Sequence, residues 1–254
     1  MTAIERIGKP FRNFLMDRRI IARCELLNRT YDFVRAAQLS PSEEDDLKRL
    51  VGKHVAAGVF ANLLSGTPIF FDLPRLDTYT LLNGKIFHFN HTEKYGKQDL
   101  DNAYCNFQKS IPELRTVLRQ NMTDLLTEFM VEAGYRIAES SSRTFVFEAP
   151  SRRAKCQLFT SINSLRLDDR RRDPEADYII LVPSGDNLAP FMKFFREKGA
   201  TFEEAGIQIW VVNLEQGTID PFIGYTTDLD IYRQFKNPRL AEMVRSTWGS
   251  KSSA

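Results

Sequence analysis

Basic side chains are concentrated in one short part of the sequence, with seven cations between residues 152 and 172. An arginine guanidinium presents paired N–H donors that match two phosphate oxygens, so this cluster predicts contact with a nucleic acid backbone. Acidic residues in the same segment leave a second interpretation open, a solvated loop in which they neutralise the arginines. The candidate nucleic-acid-binding residues are Arg152, Arg153, Lys155, Arg166, Arg170, Arg171 and Arg172.

The first of these cations lie in the stretch RTFVFEAPSRRAKCQLFTS, residues 143–161, which has the pattern of two strands joined by a short turn. We expect the turn at SRRA, residues 151–154, with the second strand beginning at Lys155. Glu148 and Lys155 are then the nearest carboxylate and amine. The sequence leaves open whether they face each other across the hairpin or are exposed charges at its end.

The elements that position this hairpin follow one another from about residue 121 onward. A helix ends at Gly134, a typical helix-terminating residue, and the later strands DYIILVP and IQIWVVNL are nearly all apolar, as expected when both faces are covered. A helix, LAPFMKFFREKG, separates those two strands and predicts that they are parallel. The whole order, helix–β–β–β–β–helix–β, predicts an α+β or α/β fold with a mixed sheet flanked by helices, followed by one or two short C-terminal helices.

The region before this core is predicted to be mainly helical, which gives two domains, 1–118 and 119–254. Apolar residues recur at helical intervals over residues 11–38, including Ile20 and Ile21. Ser40, Pro41 and Glu43 form a capping-box pattern that begins a helix expected to continue to Gly66.

Two further patterns complete the N-terminal region. TYTLLNGKIFHFN, residues 78–90, predicts a β-hairpin around a type I′ turn at Asn83-Gly84. A helix is expected from Asn102 to Lys109, and a second one is expected to begin at Pro112.

Composition indicates an ordinary soluble protein, with 254 residues, 43% hydrophobic residues and a formal charge of +2. The longest apolar runs are too short for a transmembrane segment. Cys24, Cys105 and Cys156 lack the spacing of a zinc site or a disulfide framework, which is typical of a reducing cytoplasm. The basic, amphipathic N-terminus is interpreted as a first helix, with surface attachment or targeting as the alternative.

Residues 121–215 resemble the core of the restriction-endonuclease-like, or PD-(D/E)XK, superfamily. FMVEAGYRIAES resembles the helix and first strand that open that core, and AGIQIWVVNLE resembles its closing strand. The resemblance implies an acidic residue near the second strand and an acid-x-Lys triplet on the third. In such nucleases the carboxylates hold Mg²⁺ and the lysine helps to activate water.

This chain departs from that pattern at the triplet, where it has Gln157-Leu158-Phe159 or Phe159-Thr160-Ser161. Neither stretch contains a carboxylate or ends in lysine, so the resemblance implies a degenerate site and no cofactor. An active nuclease with a displaced site would instead require Mg²⁺, bound by carboxylates outside the triplet. The sequence does not identify those metal ligands. The catalytic candidates for that case are Glu148, Lys155, Glu128 and Asp177, together with Asp168 or Asp169.

Three functions remain as hypotheses. The first is a nucleic-acid-associated protein, binding DNA or RNA through residues 152–172 on a catalytically degenerate nuclease-like core. The second is a structural or adaptor subunit, in which the N-terminal helices contact a protein partner or a second copy. The third is an active Mg²⁺-dependent nuclease with a displaced site.

Overall fold

The computed structural model describes residues 1–52, 54–65, 73, 76–90, 94–166, 175–185 and 187–249. The chain divides into two compact units. The first comprises Met1–Asn121 and Leu214–Gly217, and the second comprises Met122–Asn213 and Thr218–Ala254. Within the described residues, every helix is too short or too polar to cross a membrane.

The first unit combines helices with a small antiparallel sheet, in the strand order β1-β3-β2. Its helices are α1 (Ala3–Met16), α2 (Arg23–Ala36), α3 (Pro41–Val51), α4 (Val55–Ser65) and the part of α5 (Lys97–Glu132) up to Asn121. Its strands are β1 (Ile20–Ala22), β2 (Tyr79–Leu82) and β3 (Lys85–Phe89).

Two predictions for this unit that depend on residues close in sequence are confirmed, the helix cap at Ser40 and the turn at Asn83-Gly84. The Ser40 side chain accepts from the Glu43 amide, and the Glu43 carboxylate accepts from the Ser40 amide, which completes the capping box. Asn83 and Gly84 both have positive φ, as a type I′ turn requires. The expected helix stop at Gly66 lies outside the described residues.

Three expectations for this unit are wrong. Ile20 and Ile21 lie in β1, because they pair with Phe89 and His88 of the distant strand β3. The helix expected to start at Pro41 and continue past Leu63 is interrupted at Gly52, and α4 begins at Val55. Pro112 does not begin a helix but lies inside α5.

The second unit is built on a six-stranded mixed sheet with the strands in sequential order. The strands are β4 (Arg136–Ser140), β5 (Thr144–Ala149), β6 (Arg152–Leu158), β7 (Asp177–Pro183), β8 (Ile207–Asn213) and β9 (Thr218–Ile223). The first three strands form an antiparallel meander, β6, β7 and β8 are parallel, and β9 is antiparallel to β8. The helices are α6 (Ala189–Glu204), α7 (Leu229–Gln234) and α8 (Leu240–Gly249), with a 3-10 turn at Ile162–Ser164. The predicted mixed sheet flanked by helices is confirmed, whereas β9 was not predicted.

Both faces of the central strands are buried. On one face, Ile180, Val182 and Ile209 pack with Phe191 and Phe194 of α6. On the other, the fully buried Trp210 has ring contacts with Phe129 of α5 at 5.7 Å and with Phe235 at 5.2 Å between centroids. We call the first of these the α6 face and the second the Trp210 face.

Candidate nucleic-acid interface

The hairpin turn between β5 and β6 is tighter than the sequence indicated. β6 begins at Arg152, so Arg152 and Arg153 are strand residues and the expected SRRA turn is wrong. The register pairs Glu148 with Arg153 and Val146 with Lys155. Glu148 and Lys155 therefore share a face of the hairpin but are not directly opposite each other.

Alternation along β6 places Arg152 and Arg153 on opposite faces of the sheet. Lys155 is paired in register with Tyr178, which packs against the apolar core beneath α6, so Arg153 and Lys155 lie on the α6 face. Arg152 lies on the Trp210 face. Arg152 and Arg153 thus project from opposite faces of the sheet, although both line the open groove at the hairpin end.

The α6 face becomes polar beyond the part that the helix covers. We call this area, formed by Glu139, Thr144, Arg153, Lys155 and Gln157, the polar half-face. It contains a pocket of about 230 Å³. The pocket is lined by Glu139, Ser140, Ser141, Thr144, Val146, Arg153, Lys155 and Ala176.

The charges of the polar half-face are partly compensated. Arg153 lies between two carboxylates, 3.2 Å from Glu139 Oε1 and 3.5 Å from Glu148 Oε1. Arg136 reaches Glu148 Oε2 at 3.4 Å, with a side chain that is 82% exposed. Lys155 makes no ion pair with any carboxylate of the described residues.

On the Trp210 face, Asp228 joins three separate segments. Its Oδ2 accepts a 2.6 Å hydrogen bond from the Tyr135 hydroxyl and lies 3.5 Å from Arg152 Nη1. Its Oδ1 accepts from the amides of Asp230 and Ile231 and so caps α7. Arg152 Nη2 also donates to the Thr227 carbonyl at 3.4 Å, which fixes the segment before α7 against β6.

This network changes the ionisation of its members. Burial raises the pKa of Asp228, but the hydrogen bonds from Tyr135, Asp230 and Ile231, together with Arg152, lower it below the ordinary aspartate value overall. Burial raises the pKa of Asp177, and Asp228 adds to this while Arg152 opposes it. Burial and the hydrogen bond to Asp228 also raise the pKa of the Tyr135 hydroxyl.

An open groove of about 780 Å³ lies at this end of the sheet. Its cationic lining residues are Arg136, Arg152 and Arg153, and its carboxylates are Glu148 and Glu175. The remaining lining residues are Gly134, Tyr135, Ala149, Pro150 and Ser151. The groove is therefore polar, with more positive than negative side chains.

The other predicted binding residues are not part of these surfaces as described. The Arg166 side chain donates to the carbonyls of Asn163 and Leu165, at 3.1 and 2.9 Å. Arg170, Arg171 and Arg172, with Asp168 and Asp169, lie outside the described residues. At the start of α6, Asn187 Oδ1 accepts a hydrogen bond from the Ala189 amide.

The structure does not bring the described catalytic candidates together as a metal site, and Asp168 and Asp169 lie outside the described residues. Glu148 is opposite Arg153, whereas Asp177 pairs with Ala154, so the two carboxylates project from opposite faces of the sheet. Glu128 is an exposed residue of α5. Across the part of the chain that the structure describes, no three His, Cys, Asp or Glu side chains are grouped so that they could hold a metal ion.

Sequence reasoning missed Tyr135 and Asp228. Asp228 carried a recognisable signal, because an aspartate directly before a short helix is a preferred N-cap. Nothing in the sequence linked it to Tyr135, which is 93 positions away.

The fold and this site define an α+β domain on a sequential six-stranded mixed sheet. Residues 117–237 match a family model described as the C-terminal domain of DUF6834, a domain of unknown function. The match spans β4 to α7 and includes Tyr135, Arg152 and Asp228. A search of curated proteins finds no match to the chain.

Proposed function

We propose that this protein associates with nucleic acid and binds backbone phosphates through the second unit, without cleaving them. The observation that carries the proposal is the charge of residues 135–166, which hold six cations and two carboxylates, a net +4. The whole chain carries only +2, so the rest of it is net negative. The cations are Arg136, Arg143, Arg152, Arg153, Lys155 and Arg166.

Lys155 is the central phosphate ligand in this proposal. Its ammonium is a compact charge of the kind that binds phosphate oxygens. The pocket around it also contains Ser140 and Thr144 hydroxyls, which add hydrogen-bonding capacity for the same oxygens. Arg153, held between Glu139 and Glu148, lines the same pocket and supplies a second cation.

A nuclease-like core without catalysis is the second part of the proposal. It is supported by the order of the elements, in which an antiparallel meander is followed by β7, α6 and a parallel β8. It is also supported by the missing acid-x-Lys triplet and by the divergent directions of Glu148 and Asp177. We therefore assign no magnesium ion and no hydrolytic step to this site.

Fluorescence-anisotropy titrations of labelled single- and double-stranded DNA and RNA, at 50 and 200 mM salt with and without Mg²⁺, test this function. If four of the six cations contact phosphates, the slope of log K against log salt on duplex DNA is about −3 to −4. Lys155→Gln is expected to weaken binding, and Lys193→Gln on the exposed side of α6 is the matched control. Absence of binding at 50 mM overturns the proposal, whereas Mg²⁺-dependent cleavage supports the displaced nuclease instead.

An adaptor subunit is a second candidate, favoured by one observation in the first unit. Tyr79 and Leu81 of the sheet-edge strand β2 are 64% and 68% exposed and, two positions apart, share one face of the strand. The N-terminal helices were expected to provide the contact, and β2 is a further exposed surface that could provide it. Such a subunit forms an oligomer or complex that survives high salt and is lost in Leu81→Asp, which light scattering measures.

A further inference from the structure

Large side chains are exposed together in the segment that leads into α7. Tyr225 is 77% exposed, Leu229 is 67% exposed and Tyr232 is 47% exposed. We call these three residues the tyrosine surface. Leu229 and Tyr232 are three positions apart on α7, so they lie on neighbouring parts of one helix side.

The α7 part of the tyrosine surface, Leu229 and Tyr232, is held in a defined place by the contacts beneath it. Asp228 caps α7 and is itself anchored by Tyr135 and Arg152. The Tyr232 ring also contacts Phe235, whose ring packs on the buried Trp210. Aromatic side chains fixed in this way lose little conformational entropy when a ligand packs on them.

The same contacts join the tyrosine surface to the cationic groove. The Thr227 carbonyl accepts from Arg152, and Arg152 lines the groove together with Arg136. Thr227 is two residues from Tyr225 and five from Tyr232, so the segment that carries the exposed aromatic rings starts beside the cationic groove. This combination is characteristic of proteins that bind single strands, where cations follow the backbone and bases stack on aromatic rings.

We propose that Tyr225 and Tyr232 stack against unpaired bases of the bound nucleic acid, while Arg136 and Arg152 contact the phosphates of the same strand. This inference rests on the proposed function and specifies its ligand, a single strand or an unpaired end. A fully paired duplex cannot offer its base faces to these rings, because they are stacked inside the helix. The protein therefore prefers single strands over the duplex of the same sequence.

The test compares the dissociation constants of a labelled single strand and of its duplex for the full chain. Tyr225→Ala is expected to weaken single-strand binding about tenfold, since stacking on one aromatic ring is typically worth that order of affinity. Duplex binding changes little, and Tyr225→Phe retains the preference because the ring remains. Tyr79→Ala, which removes an exposed tyrosine from the first unit, is the matched control.

The outcomes separate this inference from the function on which it rests. If neither the single strand nor the duplex binds in a salt-dependent way, the proposed function fails. If Lys155→Gln weakens both ligands but Tyr225→Ala leaves the ratio of their affinities unchanged, only the stacking inference fails. That second result is also the one expected if the tyrosine surface serves a protein partner. Thermal unfolding of Tyr225→Ala checks that the variant is folded.

Discussion

The pKa values of two carboxylates near Arg152 are shifted in opposite directions, that of Asp228 down and that of Asp177 up. Each shift predicts a different effect of pH on stability. The pKa of Asp228 is lowered in the folded protein, so its ionised form stabilises the fold at neutral pH. That contribution is complete above the unfolded pKa of about 3.9 and is lost as the pH falls through the lower folded pKa.

Asp228→Asn is expected to reduce the free energy of unfolding by about 1–2 kcal/mol at pH 7. Asparagine keeps the Oδ1 cap of α7, but its NH2 group replaces Oδ2 and can neither accept from the Tyr135 hydroxyl nor pair with Arg152. Urea unfolding from pH 7 to pH 3 measures the difference between wild type and variant. The difference shrinks below about pH 4, and a constant difference across the range contradicts the assignment.

Asp177→Asn is expected to have the opposite sign. Burial raises the pKa of Asp177, so stability is lost as the pH rises from about 3.9, where the unfolded chain ionises, through the higher folded pKa. The variant cannot ionise and is therefore more stable than wild type at pH 7, with little difference below about pH 3.9. A less stable variant at pH 7 would show that the attraction to Arg152 outweighs desolvation.

At the level of elements, the backbone conformation between β9 and α7 requires a glycine at position 224. Gly224 has φ of +78°, and an added Cβ would lie 3.2 Å from the Ile207 carbonyl oxygen. Gly134, after α5, has a similar φ of +85° but no atom within 4 Å of an added Cβ. Alanine substitutions at Gly134 and Gly224 therefore distinguish the cost of backbone strain, which both share, from the cost of steric crowding, which only Gly224 has.

Gly134→Ala is expected to lower the free energy of unfolding by about 1 kcal/mol, the usual cost of a left-handed conformation for alanine. Gly224→Ala is expected to cost about 2 kcal/mol or more, because Ile207 must also move. Chemical denaturation at pH 7 compares the two variants. Equal losses would mean that the neighbouring strand relaxes without cost.

Sequence patterns predicted the elements that depend on near neighbours. The Ser40 cap, the Asn83-Gly84 turn and the apolar strands β7 and β8 follow from residues a few positions apart. The strands β1 and β9 were not predicted, because their pairing depends on distant partners and because Pro221 interrupts the β-strand pattern of β9. Local preference alone therefore identified the central sheet but not its last strand.

The candidate site was harder to predict for two physical reasons. Side-chain alternation separates Arg152 from Arg153, although they are adjacent in sequence. Folding also brings Thr227 and Asp228 to Arg152, at least 75 positions away. The sequence therefore showed that cations are concentrated in this segment. It did not show which of them lie on one face of the sheet, or which aromatic residues lie near them.

At the scale of the whole molecule, binding must depend on where the charge lies and not on its total. Changing Arg136, Arg143 and Lys155 to glutamine lowers the formal charge from +2 to −1, and changing Lys193, Arg196 and Lys198 of α6 lowers it to the same −1. The first triple variant is expected to reduce the duplex salt slope by about 2 to 3, because it removes phosphate contacts. The second is expected to leave the slope almost unchanged, because its cations lie outside the proposed interface.

The triple variant of α6 is the control, because it changes the net charge equally but leaves residues 135–166 intact. Anisotropy titrations over 50–200 mM salt measure both slopes with the same labelled duplex. If the two variants lose affinity equally, binding reflects net charge alone, and the surfaces around Lys155 and the groove have no special role. If only the first loses affinity, the phosphate contacts belong to residues 135–166, where a net charge of +4 is carried by a chain that is otherwise net negative.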